Sequence, residues 1–322
     1  MTYARIAGIG SCLPDKVVSN NDLEKMMDTS DEWIRERTGI KRRHIAAENE
    51  TTASLAHVAA QRALEMADVQ ASDLDLIVVA TCTPDKVIPA TACIVQRRLG
   101  AIGCPALDLN AACSGFIYGL DYANRYLRTG GGRRMLVIGA ETLSRITNWE
   151  DRTTAVLFGD GAGAVVLEAA EEPGILATHI HANGEYEDLL QTRNGVSLGF
   201  DASCSPGALI EMNGNAVFKR AVSTFDSIAR ETISDLKGHL DDIDWFVPHQ
   251  ANMRIIKAAA KKLQMPMERV LATVDEHANT SAASIPLAMD LAIRDGRIKR
   301  GDKILMAAFG AGFTWGSAYL RF

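Results

Sequence analysis

Three residues in this chain combine a chemical type with a setting that suits covalent catalysis. The first is Cys113, in Ala106-Leu-Asp-Leu-Asn-Ala-Ala-Cys-Ser-Gly-Phe-Ile-Tyr118. That segment reads as a strand, a tight turn of small residues and a helix with apolar positions at Phe116, Leu120 and Leu127. The partial positive charge of a helix N-terminus favours thiolate over thiol, and a strand-to-helix elbow holds a nucleophile upright. A free cysteine is equally at home as a small core residue, so its partners decide. The second is His249, in Val247-Pro-His-Gln-Ala-Asn-Met-Arg254, directly after an apolar strand and before a helix. Strand ends of this kind carry function, and an imidazole there can donate an N–H or exchange a proton; His277 is a rival. The third is Asn279, in the polar loop Glu276-His-Ala-Asn-Thr-Ser-Ala-Ala-Ser-Ile-Pro286. Its neutral amide can hold a developing oxyanion, while capping the next helix suits it, Thr280 or Ser281 equally well.

Glycine-dense segments surround these candidates. Ala308-Phe-Gly-Ala-Gly-Phe-Thr-Trp-Gly316 follows a strand and lets backbone N–H groups approach a ligand; it contains no cysteine. Gly159-Asp-Gly-Ala-Gly163 lacks the lysine of a phosphate loop and reads as a tight structural turn. Ile6-Ala-Gly-Ile-Gly-Ser-Cys-Leu13 imitates a dinucleotide fingerprint but lacks the third glycine and runs into Pro14, so it is discounted.

These residues need elements to position them, and the chain supplies an alternation. Leu76–Ala80, Met135–Gly139, Ala164–Leu167, Trp245–Val247 and Lys303–Ala307 read as buried strands. Thr52–Met66, Ala112–Leu127, Asn215–Leu236 and Asn252–Leu263 have helical spacing. The architecture is therefore α/β with helices covering the sheets. Asp73–Thr83 resembles Asp242–Asn252, and Arg134–Glu141 resembles Lys303–Phe309, which suggests a duplicated core. Its halves would be 1–170 and 171–322, joined at Glu171-Glu172-Pro173-Gly174.

With 322 residues, 47% of them hydrophobic, the chain can bury a deep site. Its formal charge of −6 argues against a general nucleic-acid binder. The six cysteines form no C-x-x-C pair, so neither a zinc site nor a disulfide framework is expected, and a reducing cytosol fits. No membrane-spanning run or targeting segment is visible.

Taken together, Asn110-Ala-Ala-Cys-Ser-Gly115, Pro248-His-Gln-Ala-Asn252, His277-Ala-Asn-Thr-Ser281 and Phe309–Gly316 resemble the type III β-ketoacyl-acyl carrier protein synthases. Ser30-Asp-Glu-Trp-Ile34, Arg37-Thr-Gly-Ile40 and Gly159–Gly163 follow the same order, so the resemblance spans essentially the whole chain. It implies a thiolase-like α-β-α-β-α fold of two pseudo-duplicated halves, a homodimer and a cytoplasmic location. It further implies that a primer acyl-CoA, acetyl-CoA being the expected one, is condensed with malonyl-acyl carrier protein to start type II fatty acid synthesis, with no cofactor or metal. By the same resemblance Cys113 carries the acyl group, and His249 and Asn279 hold the enolate left by decarboxylation. Backbone N–H groups of Cys113 and Ala311 form the second oxyanion hole; the family often has glycine at the latter position.

Trp33 matches the residue that stacks on the CoA adenine, with Arg152 on its other face, and Thr29, Arg37, Asn215 and Ala251 match further CoA contacts. Without the resemblance Trp33 reads as an ordinary helix-packing residue. Ile88 matches a wall of the acyl pocket. Arg254, Lys257, Lys261 and Lys262 form a basic stripe on the helix after His249, with Met253, Ile256, Ala260 and Leu263 turned inward. A solvated face explains such a stripe equally well; with Lys219 and Arg220 it resembles the docking patch for the acidic carrier protein. Three other readings remain: a relative using the same triad on another acyl donor or acceptor, a thiolase or elongating synthase, and a non-catalytic acyl-CoA or carrier-protein binding module. The missing second cysteine and Asn279 speak against the thiolase and the elongating synthase, and the intact triad against the binding module.

Overall fold

The computed structural model describes residues 2–192, 194–198, 209–235 and 240–322. Cys204 and Leu236, the expected end of one helix, lie outside the described residues. The Val- and Ile-rich runs form strands whose side chains are buried, as continuous apolar strands require. Five strands make one sheet: β1 (Tyr3–Cys12), β2 (Leu76–Ala80), β3 (Ala106–Leu109), β4 (Arg134–Thr142) and β5 (Asp160–Ala170), in the order β3-β2-β4-β5-β1. The second sheet holds β6 (Ile175–Ala182), β7 (Trp245–Pro248), β8 (Lys303–Gly310) and β9 (Thr314–Arg321), in the order β7-β8-β9-β6. Val270 bridges Phe246 in parallel where a fifth strand would stand.

Four strands of the first sheet correspond to the four of the second. In the first, β3, β2 and β4 are parallel, and β5 and β1 pair antiparallel. In the second, β7 and β8 are parallel, and β9 and β6 pair antiparallel. The look-alike segments fall on equivalent strands, β2 with β7 and β4 with β8. This is the pseudo-duplicated architecture expected from the sequence.

Seven helices complete the layers that matter for the site: α1 (Asp31–Thr38), α2 (Thr52–Ala67), α3 (Thr91–Leu99), α4 (Gly115–Arg128), α5 (Gly214–Asp235), α6 (Met253–Lys262) and α7 (Ser284–Arg294). Helices α2 and α3 cover the outside of the first sheet, α5 and α6 the outside of the second, and α4 and α7 lie between the sheets. Phe116, Ile117 and Leu120 of α4 and Ile285, Ala288 and Met289 of α7 share one core with Val78, Val137, Met306 and Ala318 of the two sheets. Full burial of each large apolar side chain contributes about 1.5–3 kcal/mol. No helix among the described residues is long and apolar enough to cross a membrane.

Two glycine-rich segments are strands. The fingerprint-like opening is β1, absent from the strands read by composition. A Cβ on Gly8 or Gly10 would come within 2.3 and 2.4 Å of the Ala63 and Ala59 carbonyl oxygens, so these glycines let the alanine face of α2 reach backbone contact. The expected tight turn at Gly159–Gly163 is corrected likewise: residues from Asp160 onward open β5. A Cβ on Gly163 would meet the Pro286 ring at 2.7 Å, so the glycine makes room for the start of α7.

Candidate active site

The chain leaves β3 at Leu109 and reaches α4 through a short 3-10 turn at Ala112–Ser114 that carries Cys113. Ala112 has φ 46, a left-handed conformation that side chains rarely adopt, and its N–H donates to Asn110 Oδ1 at 3.1 Å. The glycine-rich tail braces this elbow. The Thr314 hydroxyl donates to the Ala111 carbonyl at 2.7 Å, and the Ser114 hydroxyl donates to the Thr314 carbonyl at 3.0 Å. A Cβ on Gly310 would lie 2.7 Å from the Cys113 nitrogen. Ala311 is the next residue, in the turn joining β8 to β9.

Burial pushes the Cys113 thiol up to about 12, opposed by the neighbouring Ser281 hydroxyl and reinforced by the Glu141 carboxylate. Burial thus works against the thiolate expected at a helix end and favours the protonated resting sulfur. Glu141 itself is fully buried. It accepts the Thr83 hydroxyl at 2.6 Å and the Cys82 N–H at 3.2 Å, and burial raises its pKa. The sequence reading missed it; its one signal is a carboxylate closing the apolar run Met135–Ala140.

His249 caps β7 and is 1% exposed. Burial lowers its pKa to about 3, so the ring is neutral at physiological pH. Its Nδ1 lies 2.7 Å from Ser284 Oγ at the first position of α7, and that oxygen also accepts the Gln250 N–H at 3.2 Å. The Ser284 oxygen can either donate its proton to Nδ1 or accept one from it; donation leaves the imidazole hydrogen on Nε2, the form able to donate into the cavity. Asn279 is anchored by its backbone to residues 157–159, its N–H on Leu157 O at 2.9 Å and its carbonyl on Gly159 N at 3.0 Å. Its Oδ1 accepts the Ser281 N–H at 2.9 Å, leaving the amide nitrogen to donate elsewhere. Ala278 and Ser281 flank it with φ 57 and 49, strain of the kind functional sites store.

Cys113, His249 and Asn279 share one cavity of about 830 Å³, together with Leu157, Phe158 and Phe309. The rival His277 does not line it. Trp33, Arg37, Asn215, Ala251 and Arg254 line the same cavity. Helix α1 is held there by Gly39, whose φ of 77 ends the helix against Met253, and by the Asn252 side-chain amide on the Arg37 carbonyl at 3.1 Å. Arg37 and Arg152 place their guanidinium carbons 4.4 and 5.1 Å from the Trp33 ring centroid. Arg152 also donates to the Asp28 carbonyl at 2.7 Å. Thr29 Oγ1 is buried with no hydrogen-bond partner.

Thr29, Arg152 and Ala311 border the site without lining the cavity, and one expected residue lies away from it. Ile88 is 84% exposed and lines no part of the cavity, because its loop runs from β2 to α3 beside the free edge of β3. The chain's own fold therefore does not make it a pocket wall. On α6, Arg254, Lys257, Lys261 and Lys262 are exposed, and on the adjoining α5 so are Lys219 and Arg220. The buried side of α6 is Ile255, Ile256, Ala259 and Ala260, with Leu263 just beyond. Met253 is half-buried, and Ile255 and Ala259 were missed.

Residues 107–184 match the family described as 3-oxoacyl-[acyl-carrier-protein (ACP)] synthase III, and residues 234–322 match its C-terminal counterpart. The chain is 60% identical over its full length to the full-length beta-ketoacyl-[acyl-carrier-protein] synthase III of Thioalkalivibrio sulfidiphilus. It is 56% identical to that of Xanthomonas campestris pv. campestris, over 99% of this chain and 98% of the other. The crystal structure of 3-oxoacyl-[acyl-carrier-protein] synthase III from Aquifex aeolicus superposes with a TM-score of 0.94 at 48% identity, covering 99% of this chain and all of that one. The elbow cysteine, the two oriented N–H donors and full-length likeness of sequence and fold lead to one conclusion: this chain belongs to the β-ketoacyl-[acyl-carrier-protein] synthase III family.

Proposed function

We propose that the chain condenses a primer acyl-CoA, acetyl-CoA first among them, with malonyl-acyl carrier protein to give a β-ketoacyl-acyl carrier protein, CO₂ and CoA, the opening step of type II fatty acid synthesis. One observation carries this reading. His249 Nδ1 and Asn279 Oδ1 are both engaged inside the protein, so each residue turns an uncharged N–H donor to the cavity that holds Cys113. Two neutral donors suit an oxygen that gains charge only during reaction.

In the first half-reaction Cys113 Sγ forms a thioester with the acyl carbonyl, the C–S bond to CoA breaks, and the thiol proton leaves with CoA. The raised pKa of this thiol means that proton loss accompanies attack. In the second half, malonyl-acyl carrier protein loses CO₂ and the electron pair of that C–C bond becomes an enolate held by His249 and Asn279. The enolate carbon attacks the acyl-Cys113 carbonyl, whose oxyanion sits on the Cys113 and Ala311 N–H groups. Cys113 thiolate departs and takes up one proton. Side chains and thioesters supply every step, so no cofactor is invoked.

The cavity mouth is assigned to CoA, with Trp33 stacking the adenine and Arg37, Asn215 and Ala251 beside it; Thr29, whose hydroxyl is buried in this conformation, is assigned to the same ligand. Arg152 must release its present contact with Trp33 to admit a purine between them. Lys219, Arg220, Arg254, Lys257, Lys261 and Lys262 are assigned to the carrier protein. We place the boundary between the halves at Glu171–Gly174, and the protein in the cytoplasm as a homodimer. Val87, Ile88 and Ile102 are 72, 84 and 90% exposed near the β3 edge, and a second copy meeting this edge would cover them and return Ile88 to a pocket wall.

Intact-protein mass spectrometry after incubation with acyl-CoAs tests the function. The expected result is an adduct absent from Cys113→Ser and discharged by malonyl-acyl carrier protein as a β-ketoacyl product. Absence of any adduct overturns the reading, and an adduct that malonyl-acyl carrier protein cannot discharge leaves a different acyltransferase.

A further inference from the structure

A second cluster of chemically capable side chains lies apart from the cavity, where the edge strand β6 meets α5. His179 and His181 are two residues apart on β6 and so project from the same face of the sheet. That face is covered by α5, which brings Glu231, Thr232 and Asp235 over it; Thr232 and Ser317 of β9 share a buried hydroxyl contact there. His181 Nε2 lies 2.9 Å from Glu231 Oε2, and His179 Nδ1 lies 3.7 Å from Glu231 Oε1. His179 Nε2 lies 3.4 Å from Asp235 Oδ2. One ligand atom from each of His179, His181 and Glu231 falls within 4.8 Å of the others. None of these residues lines the cavity.

His181 Nε2 and Glu231 Oε2 share an ordinary hydrogen bond at 2.9 Å, which a bound ion would replace, whereas the His179 contact with the same carboxylate is too long for one. If His179 donates its Nε2–H to Asp235, Nδ1 presents a lone pair to Glu231. Two acceptors then face each other at 3.7 Å, beyond hydrogen-bond length, and positive charge, from a second proton on His179 or from a metal ion between them, makes the contact attractive. Zinc with bonds of 2.0–2.2 Å separates tetrahedral ligands by roughly 3.3–3.6 Å, close to the observed gap. A carboxylate behind a ligating imidazole is the usual device for fixing its tautomer and raising its basicity, and Asp235 stands in that position. The ring of His181 is held independently, stacked on Trp315 at 5.7 Å and 20°, and its backbone carbonyl accepts the Tyr118 hydroxyl at 2.6 Å. The side chains of His179, His181 and Glu231 are 17, 38 and 40% exposed, enough for an ion to enter.

We propose that His179 Nδ1, His181 Nε2 and the Glu231 carboxylate bind a divalent transition metal of the zinc class, with Asp235 orienting His179, and that the ion clamps the edge strand β6 to α5. Sequence gave no warning. The expectation of no metal rested on the missing C-x-x-C pair, and the carboxylate lies 50 residues beyond His181.

Calorimetric titration of the metal-stripped full-length protein with Zn²⁺ tests this, with Co²⁺ as a visible-absorption probe. Expected are one equivalent bound, tetrahedral-type Co²⁺ bands, and a Tm rise of roughly 5 °C at about a hundredfold excess of free zinc over Kd. The double variant His179→Ala/His181→Ala loses all three. Glu231→Gln and Asp235→Asn, milder changes at half-exposed or exposed positions, weaken binding by about tenfold or more. Circular dichroism and Tm of each variant in EDTA confirm that it remains folded. No stoichiometric binding by the wild type, or equal binding by the wild type and the double variant, overturns the site; undiminished affinity in Asp235→Asn removes Asp235 from it.

Discussion

Ser284→Ala is the most informative substitution, because the position of one hydrogen on His249 hangs on that hydroxyl. Ser284 is 2% exposed and its oxygen meets both His249 Nδ1, at 2.7 Å, and the Gln250 N–H, at 3.2 Å. Alanine leaves a buried N–H and a buried ring nitrogen without partners, at about 1–3 kcal/mol for each unsatisfied group, so a loss of about 2–6 kcal/mol in stability is expected. The catalytic effect is separate. Without the serine proton on Nδ1, the ring no longer prefers to carry its hydrogen on Nε2, and the enolate loses part of one of its two donors. A loss of about 1.4 kcal/mol of that stabilisation slows decarboxylation about tenfold. The assay compares two single-turnover rates on the same variant: CO₂ release from malonyl-acyl carrier protein by acylated enzyme, and formation of acyl-Cys113 from acyl-CoA, followed by quenched mass spectrometry. Decarboxylation should fall about tenfold while acylation stays near the wild-type rate. Unchanged decarboxylation, or a parallel fall in both rates, refutes the role given to Ser284.

His249 has a native pKa of about 3 against about 6.5 when unfolded, so between these values the unfolded chain binds the extra proton. Its stability contribution is complete above about pH 6.5 and is lost as pH falls, by roughly 2 kcal/mol at pH 5; urea unfolding of His249→Asn should show a correspondingly shallower loss between pH 7 and 5, and an equal slope contradicts the assignment. For the same reason the decarboxylation rate should show no inflection at the ordinary histidine pKa, and an inflection there would mean that the ring ionises. Gly310→Ala puts a methyl group 2.7 Å from the Cys113 nitrogen; overpacking of about 1–3 kcal/mol should displace the elbow and cut the acylation rate more than tenfold, about what 1.4 kcal/mol represents, with acyl-CoA affinity retained, as stopped-flow and equilibrium binding would show. Reversing charge in Lys257→Glu/Lys261→Glu should raise the KM for malonyl-acyl carrier protein and flatten its salt dependence without changing acylation by acyl-CoA; an unaltered KM removes these lysines from the docking surface.

The α/β class, most of the inner strands, the duplication and the three residues that the fold brings to one cavity were legible in the sequence, because each rests on short-range pattern. Apolar runs mark strands buried on both faces, and Cys113, His249 and Asn279 each follow a recognisable local transition. The edge strand β6 and the hairpin strand β9 lack such continuous apolar runs, and β1 was obscured by glycines whose purpose is contact with a helix over forty residues away in sequence. What only the tertiary structure decided is the state of those residues. Burial, which depends on every layer around the site, pushes the Cys113 pKa up and favours the protonated thiol. The crossing of β7 with α7 picks Ser284 from several nearby hydroxyls as the partner of His249, and the return of β4 beneath the elbow brings Glu141 against it. Ile88 resembled a pocket residue by sequence, yet the fold carries it outward, because the loop's direction at a sheet edge is set by packing that its own residues do not encode. The His179–His181 pair is inert as a dipeptide pattern and acquires chemistry only when α5 lays two carboxylates across it.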